Sequence, residues 1–300
     1  MPELPEVETI VRDIRPALIG KLIYGIVIKS SCQRNILKVR AERFYEQAIG
    51  GEILTVLRKG KYIILPLSNN NVIVMHLGMT GKILLRRGPT ANFEDMPDSI
   101  EKHTHLILEL IDPSDASMVG LEDVQLLFND PRTFGKIYLL EDVEDIENLD
   151  IPGLKTLGPD ALGISHKEFQ EIVKSKRAIK SILLDQTKIA GVGNIYADES
   201  LFEARIHPTR PGSSLNFEES SKLRFAVKSV LKEGIKFRGS STSDYVTADG
   251  SKGSFQDHHR VYRKTGQKCV DCGSIIQRIV LAQRGTHFCP TCQTGEVDQW

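Results

Sequence analysis

Apolar residues recur near the start of the chain at Val7, Ile10, Val11, Ile14 and Leu18, steps of 3, 1, 3 and 4 that lay one apolar stripe along an α-helix. Pro5 fits the first turn of that helix, where its missing N–H costs nothing, and Glu6 and Glu8 lie at the positive end of its dipole. The pattern then changes. The runs KLIYGIVIKSS, GGEILTVLRKGKYIILPL, NNNVIVMHLGMTGKILLRRG, KHTHLILELIDP and VQLLFNDPRTFGKIYLL are short, β-rich and broken by Gly, Asn and Pro. With little helix between them they predict a β-sandwich or barrel, in which LRKGKYIILP pairs with VIVMHLGMTG across the turn LSNNN. The acidic stretch EDVEDIENLD and the following IPGLKTLGPDALG read as an interdomain joint. From Ser165 the helical period returns, with Ser165 as N-cap and Glu168 completing a capping box. YADESLFEARI and LNFEESSKLRFAVKSVLKEGIKF predict further helices, and the polar, Gly/Ser-rich RGSSTSDYVTADGSKGSFQDHH a long mobile loop.

Composition refines this picture. The chain has 300 residues, 40% hydrophobic and 26% charged, which suits an ordinary globular protein of about two domains. No apolar run approaches the ~20 residues of a membrane span, and the acidic N-terminus lacks the apolar core of a signal peptide, so a cytoplasmic chain is expected. Formal net charge is zero, yet the charges are segregated. Residues 1–90 hold 14 Lys/Arg against 7 Asp/Glu, and residues 251–292 hold 7 against 2. Two basic regions flanking an acidic joint can form one positive face for nucleic acid, although solvated surface charge accounts for either cluster alone.

Four of the five cysteines fall in two pairs, Cys269-x-x-Cys272 and Cys289-x-x-Cys292, sixteen residues apart. That spacing predicts a tetrahedral Zn²⁺ site on two knuckles rather than a disulfide framework. With cysteine at all four positions no coordination site stays open, so the zinc is structural. Cys32 is left over as a packed or partly exposed free thiol. Arg284, near the returning strand of the hairpin between the pairs, is either a phosphate clamp or a solvated side chain. In KIAGVGNIYADESLF, Gly191 and Gly193 free the backbone and Asn194 stands as N-cap, which predicts either an anion site or a plain helix–turn–helix joint. Met79 and Phe134, in the turns HLGMTG and DPRTFG, are core residues or exposed wedges that unstack a base step. Helix geometry leaves Pro2 unexplained. If Met1 is removed, Pro2 presents a secondary amine able to attack an electrophilic carbon.

The segments MPELPEVE, KGKY, HLGMTG, NDPRTFG, AGVGNIYADESLFEARIHP and AQRGTHFCPTCQ, in that order from Met1 to about Gln293, resemble those of the bacterial formamidopyrimidine-DNA glycosylases. The resemblance implies an α+β multidomain fold: an N-terminal β-sandwich with flanking helices, then a helix-two-turn-helix domain and a four-cysteine zinc finger, with DNA in the cleft. Its expected domains are a catalytic sandwich over 1–145, a linker over 146–160, the helix-two-turn-helix domain with a lesion-capping loop over 161–262, the zinc finger over 263–293 and a tail over 294–300. One structural Zn²⁺, a monomeric state, and duplex DNA carrying oxidised purines or abasic sites as partner are implied too, with no membrane. A bacterial cytoplasmic enzyme would associate with the nucleoid through its DNA.

The resemblance also assigns roles. Pro2 becomes the nucleophile at C1′ of the damaged nucleotide; a terminal amine with a reference pKa of roughly 7.7 to 8.0 is partly neutral at pH 7, and a helix N-terminus nearby disfavours its cation. Glu3 is the acid/base group, Lys61 contacts phosphate and donates a proton in β-elimination, and Arg284 serves δ-elimination and phosphate binding. The expected sequence is base flipping, glycosidic cleavage through a Schiff base, then β,δ-elimination to a one-nucleotide gap. His103, Arg132, Lys176 and Asn194 match DNA contacts, and Met79, Arg132 and Phe134 the triad that fills the vacated stack. Ser240, Ser241, Thr242, Ser243, Asp244 and Tyr245 align with the loop that closes over 8-oxoguanine, and Glu6 joins that lesion pocket.

Some features depart from the pattern. Thr133 stands where some members have a second arginine, the stretch from about Ala91 to Glu122 is longer than usual, and TGEVDQW extends past the finger. Two rivals carry different functions. An endonuclease VIII-like glycosylase for oxidised pyrimidines would usually begin MPEG; a non-catalytic lesion-binding zinc protein would need neither Pro2, Glu3 nor Lys61.

Overall fold

The N-terminal stripe forms helix α1 (Leu4–Leu18), on which Val7, Ile10, Val11, Ile14 and Leu18 are fully buried. The structure is a computed structural model that describes residues 1–87, 102–115 and 124–295; most of the long 91–122 stretch and residues 296–300 lie outside them. Contacts divide the chain into two compact units. The first comprises residues 1–2, 6–155 and 240–253, the second residues 3–5, 156–239 and 254–300.

In the first unit α1 is followed by β1 (Leu22–Ile28), α2 (Ser30–Asn35), α3 (Ala41–Ala48), β2 (Leu57–Lys59), β3 (Tyr62–Pro66), β4 (Val72–His76), β5 (Lys82–Arg87), β6 (Thr104–Ile111), β7 (Val124–Asn129) and β8 (Lys136–Leu140). Two antiparallel four-stranded sheets result, in the orders β1-β6-β7-β5 and β2-β3-β4-β8. The expected pairing of β3 with β4 is present, with Tyr62 opposite His76 and Pro66 opposite Val72. Strands such as VQLLFN and VIVMH read as nearly continuous apolar runs because both of their faces are covered. One core joins α1 to both sheets through Ile10, Ile14, Ile63, Met75, Leu108 and Phe128. Each such side chain contributes about 1.5–3 kcal/mol by leaving water.

The second unit holds α4 (His166–Val173), α5 (Ile179–Leu184), α6 (Asn194–Ala204) and α7 (Phe217–Lys236), then the hairpin β9 (Gln277–Leu281) and β10 (Arg284–Phe288). The Ser165/Glu168 capping box forms as expected, and Asn216/Glu219 supplies a second one. Helix α6 departs from an amphipathic pattern because it is buried nearly all round. Glu199 on it accepts N–H bonds from Arg260, Val261 and Tyr262, while burial pushes its carboxyl above the usual range. Gly234 of α7 is needed where it stands, since a Cβ there would lie 2.5 Å from the Tyr196 ring.

The stretch 240–253 has neither helix nor strand, yet it is pinned rather than free. Tyr245 and Ala248 join the core of the first unit, Leu85 N–H donates to Ala248 O at 2.8 Å, and Thr247 Oγ1 bonds Asp249 and Ser251. By its contacts this stretch groups with the first unit. Among the described residues no helix is long and apolar enough to cross a membrane.

His259 is buried in the second unit, edge-on to Phe255 and Tyr262 at centroid distances of 5.3 and 5.4 Å, and burial holds its pKa down at about 4. An unfolded imidazole titrates near 6.5, so the unfolded chain binds more protons between these values and stability falls as pH drops through that window. We expect this residue alone to cost about 2 kcal/mol at pH 5 relative to pH 7.5. Denaturant titrations at both pH values on wild type and His259→Gln check this; equal pH slopes would rule it out.

Candidate active site and metal centre

In the second unit, Glu3 is 4% exposed and its carboxylate caps helix α6, accepting the N–H groups of Ile195 at 3.0 Å and Tyr196 at 3.3 Å. The N-cap is Gly193, not Asn194 as the sequence suggested; Asn194 is the first helical residue. The physical reason is space. A Cβ on Gly193 would lie 2.2 Å from Glu3 Cδ, and one on Gly191, at φ +102°, 2.4 Å from Leu4 Cδ1. Leu4 N–H also donates to Gly191 O at 3.0 Å. This glycine turn thus seats a carboxylate of the chain itself, placed where orphan N–H groups and the helix dipole favour negative charge.

Asn194 instead donates from Nδ2 to Gly285 O at 3.0 Å. Close by is a group that sequence reasoning missed. Lys180, fully buried on α5, pairs with Asp198 at 2.6 Å, and burial lowers its pKa against the pull of Asp198 and of Glu3, with Arg284 adding to the lowering. Tyr262 is raised first by burial and then by Glu3. A lysine on the otherwise largely apolar helix IKSILL was the available signal. Arg284 is exposed at the start of β10, directly after a two-residue turn in which Ala282 and Gln283 both have positive φ. Lys176 is exposed on the segment joining α4 to α5.

The remaining candidates lie on the first unit, where Pro2 and Glu6 are both buried. Lys61 sits in the tight turn between β2 and β3, after Gly60 at φ +57°. It is buried beside His76, whose imidazole is pushed down to about 4 by burial first and then by Lys61 and Lys136. Met79 and Phe134 prove to be exposed, at 42% and 47%, and Arg132 stacks over the Phe134 ring at 4.8 Å. Their two loops are fastened by Asp130, which sequence reasoning did not single out. Fully buried, it accepts from Thr80 Oγ1 at 2.5 Å, Gly135 N–H at 2.7 Å and Arg132 N–H at 3.2 Å. Asp130 N–H donates in turn to His103 O at 2.8 Å, so His103 joins the same cluster. Thr133 has φ +55°, a costly conformation for a β-branched residue. Glu6 holds the base of the 240–245 segment, accepting Ser240 N–H at 2.8 Å, and Ser241 Oγ donates to Tyr245 O at 2.9 Å. Tyr245 is buried, Thr242 is half-buried, and Ser243 and Asp244 are exposed.

The thiolates of Cys269, Cys272, Cys289 and Cys292 all lie within 4.8 Å of one another. A Zn–S distance near 2.3 Å in a tetrahedron requires sulfurs ~3.8 Å apart. Separations of 3.9 Å for Cys269–Cys292 and 3.4 Å for Cys272–Cys289 fit that requirement. Gln293, buried behind the second knuckle, accepts Cys289 N–H and donates to Ile206 O. Cys32 is fully buried, and burial pushes its thiol up to about 12, which makes it inert.

Comparison with known proteins places this geometry. Residues 1–137 match the family model described as the formamidopyrimidine-DNA glycosylase N-terminal domain, residues 157–246 its H2TH domain, and residues 266–295 a zinc finger found in FPG and IleRS. The formamidopyrimidine-DNA glycosylase of Solibacter usitatus is 40% identical over 297 residues, covering 98% of this chain and 99% of that one. A Lactococcus lactis FPG variant in complex with Fapy-dG containing DNA superposes with a TM-score of 0.83 at 35% identity, covering 98% of this chain and all of that one. The wild-type L. lactis FPG with DNA containing an oxidised pyrimidine gives 0.82 at 35% identity, with the same coverage. The chain belongs to the formamidopyrimidine-DNA glycosylase family, zinc-finger DNA glycosylases of base excision repair that are also abasic-site lyases.

Two outcomes are expected. Gly193→Ala should displace the Glu3 carboxylate and destabilise the protein by about 1–3 kcal/mol, with a larger loss of lesion cleavage than of thermal stability. Cleavage assays beside thermal melts read both; retained activity would show that Glu3 does not need this seat. Purified protein should contain one zinc per chain by elemental analysis, and its removal by chelator should abolish DNA binding while leaving the first unit's sheet signal in circular dichroism.

Proposed function

We propose that this chain excises oxidised purines, 8-oxoguanine and formamidopyrimidines, from duplex DNA through an N-terminal Pro2 amine and then cuts the strand by β,δ-elimination. The observation that carries this reading is the seat of Glu3. A buried carboxylate fixed on a helix N-terminus stands one peptide link from Pro2, so an acid/base group is held beside the nucleophile.

After removal of Met1, the Pro2 nitrogen attacks C1′, the C1′–N bond to the base breaks, and the base leaves with a proton. Glu3 assists opening of the sugar ring, which yields an iminium between Pro2 and C1′. In the β-elimination a C2′ proton passes to water and the C3′–O bond breaks, while Lys61 binds the departing phosphate and donates a proton to its oxygen. The second elimination releases the other phosphate to Arg284. Met79, Arg132 and Phe134 fill the stack vacated by the flipped nucleotide; their exposure on loops fastened by Asp130 supports that role. His103, Lys176 and Asn194 contact the DNA backbone. The segment from Ser240 to Tyr245, seated on Glu6, closes over the lesion. The zinc holds the hairpin bearing Arg284 in shape and enters no step. The chain works in the bacterial cytoplasm, at the nucleoid.

The L. lactis FPG bound to oxidised-pyrimidine DNA supports a secondary activity on pyrimidine lesions. Borohydride trapping on duplexes carrying 8-oxoguanine opposite cytosine or thymine glycol, with the N-terminus verified by mass spectrometry, tests both readings. The expected result is a covalent adduct mainly on 8-oxoguanine that is lost in Pro2→Gly, with base release lowered about 100-fold or more in Glu3→Gln. Trapping mainly on thymine glycol would make the chain an endonuclease VIII-like enzyme; binding without any adduct would make it a lesion-binding protein.

A further inference from the structure

Among the described residues of the second unit, the ion pair of Lys180 with Asp198 has no solvent exposure on either side. The Asp198 carboxylate also accepts the backbone N–H and the Nδ1–H of His287, both at 2.9 Å. Lys180 Nζ donates onward to Gly285 O at 3.1 Å and Thr286 Oγ1 at 2.8 Å, and Asn194 adds its bond to Gly285 O. Every one of these bonds from α5 and α6 ends on residues 285–287 of β10, immediately after Arg284.

Strand β10 needs such support. A two-stranded ribbon is marginal by itself, its partner β9 is largely exposed with Val280 at 66%, and both turn residues are held at positive φ without glycine. The zinc cysteines fix only the end at Cys289, five residues beyond Arg284. A buried ion pair is a poor source of stability compared with apolar packing, but it can fix a single register.

We propose that Asp198 is a positioning residue for the second elimination: acting with Lys180 and His287, it fastens β10 to α6 and so holds the Arg284 guanidinium for the departing phosphate. The inference rests on the role given to Arg284 above. In that step a proton leaves C4′ of the unsaturated sugar still joined to Pro2, the C5′–O bond breaks, and the phosphate departs on its DNA fragment with the electron pair. An arginine displaced with its strand would slow this step while leaving attack by Pro2 intact.

The test is single-turnover cleavage of abasic-site duplex by the full-length zinc protein, reading the δ/β product ratio on a sequencing gel beside borohydride-trapped adduct and zinc content. Asp198→Asn and His287→Gln should each lower the ratio several-fold toward that of Arg284→Ala, with adduct and zinc near wild type, and Asp198→Asn should add nothing in the Arg284→Ala background. If Asp198→Asn loses zinc and adduct together, His287→Gln, which leaves the ion pair in place, decides. A lowered ratio in Arg284→Ala with an unchanged ratio in His287→Gln and in folded Asp198→Asn overturns the positioning role alone. An unchanged ratio in Arg284→Ala overturns the role of Arg284, and the positioning inference with it.

Discussion

The N–H groups at the start of helix α6 need an acceptor, and Glu3 is that acceptor. The glycines at 191 and 193 and the burial of Leu4 are conditions for this seat, since any side chain at either glycine would occupy the space of residues 3 and 4. A buried carboxylate without donors would be strongly disfavoured, and a helix end without an acceptor likewise; together each satisfies the other. Two motifs nearly 200 residues apart in the chain, PELP and AGVGN, are thus halves of one interaction. Pro2, next to Glu3, is tied to this seat by one peptide link, which limits where it can go.

The first unit uses the same device in another place. Asp130 has no exposure and collects donors from its own loop and from Thr80, which joins the 77–81 and 130–135 turns into one rigid feature. Gly78 permits the close approach, because a Cβ there would meet the Phe134 backbone at 2.7 Å. Large apolar side chains are normally withdrawn from water, yet Met79 and Phe134 are exposed on this fastened backbone. Glu6 repeats the arrangement a third time, with one buried oxygen fixing the base of the segment that begins at Ser240. Buried acids accepting backbone N–H groups are therefore the means by which loops are made precise without helix or strand.

The zinc centre and the Lys180–Asp198 pair divide one task along a hairpin. Four thiolates fix the knuckles, which are local in sequence, and the ion pair fixes the strand that carries Arg284, which is not. That division gives a small, largely exposed ribbon support at both ends of its second strand.

Local periodicity and chemistry made much of this legible. The α1 stripe, the β3–β4 pairing, the Ser165/Glu168 capping box and the spacing of the four zinc cysteines each depend on residues close in the chain, and each formed as read. The order of the strands in two sheets, the inclusion of residues 240–253 in the first unit and the buried environment of α6 depended on contacts distant in sequence. Asn194 shows the difference most clearly. By its type and place it reads as an N-cap, and only the arrival of Glu3 from the other end of the chain displaces it from that role. Sequence by itself determined the zinc ligands, because metal affinity belongs to residue types at short spacings. Tertiary structure alone decided which carboxylate meets which N–H and which loop is fastened to which, because those choices depend on burial and on approaches of a few ångström between segments that the chain leaves far apart.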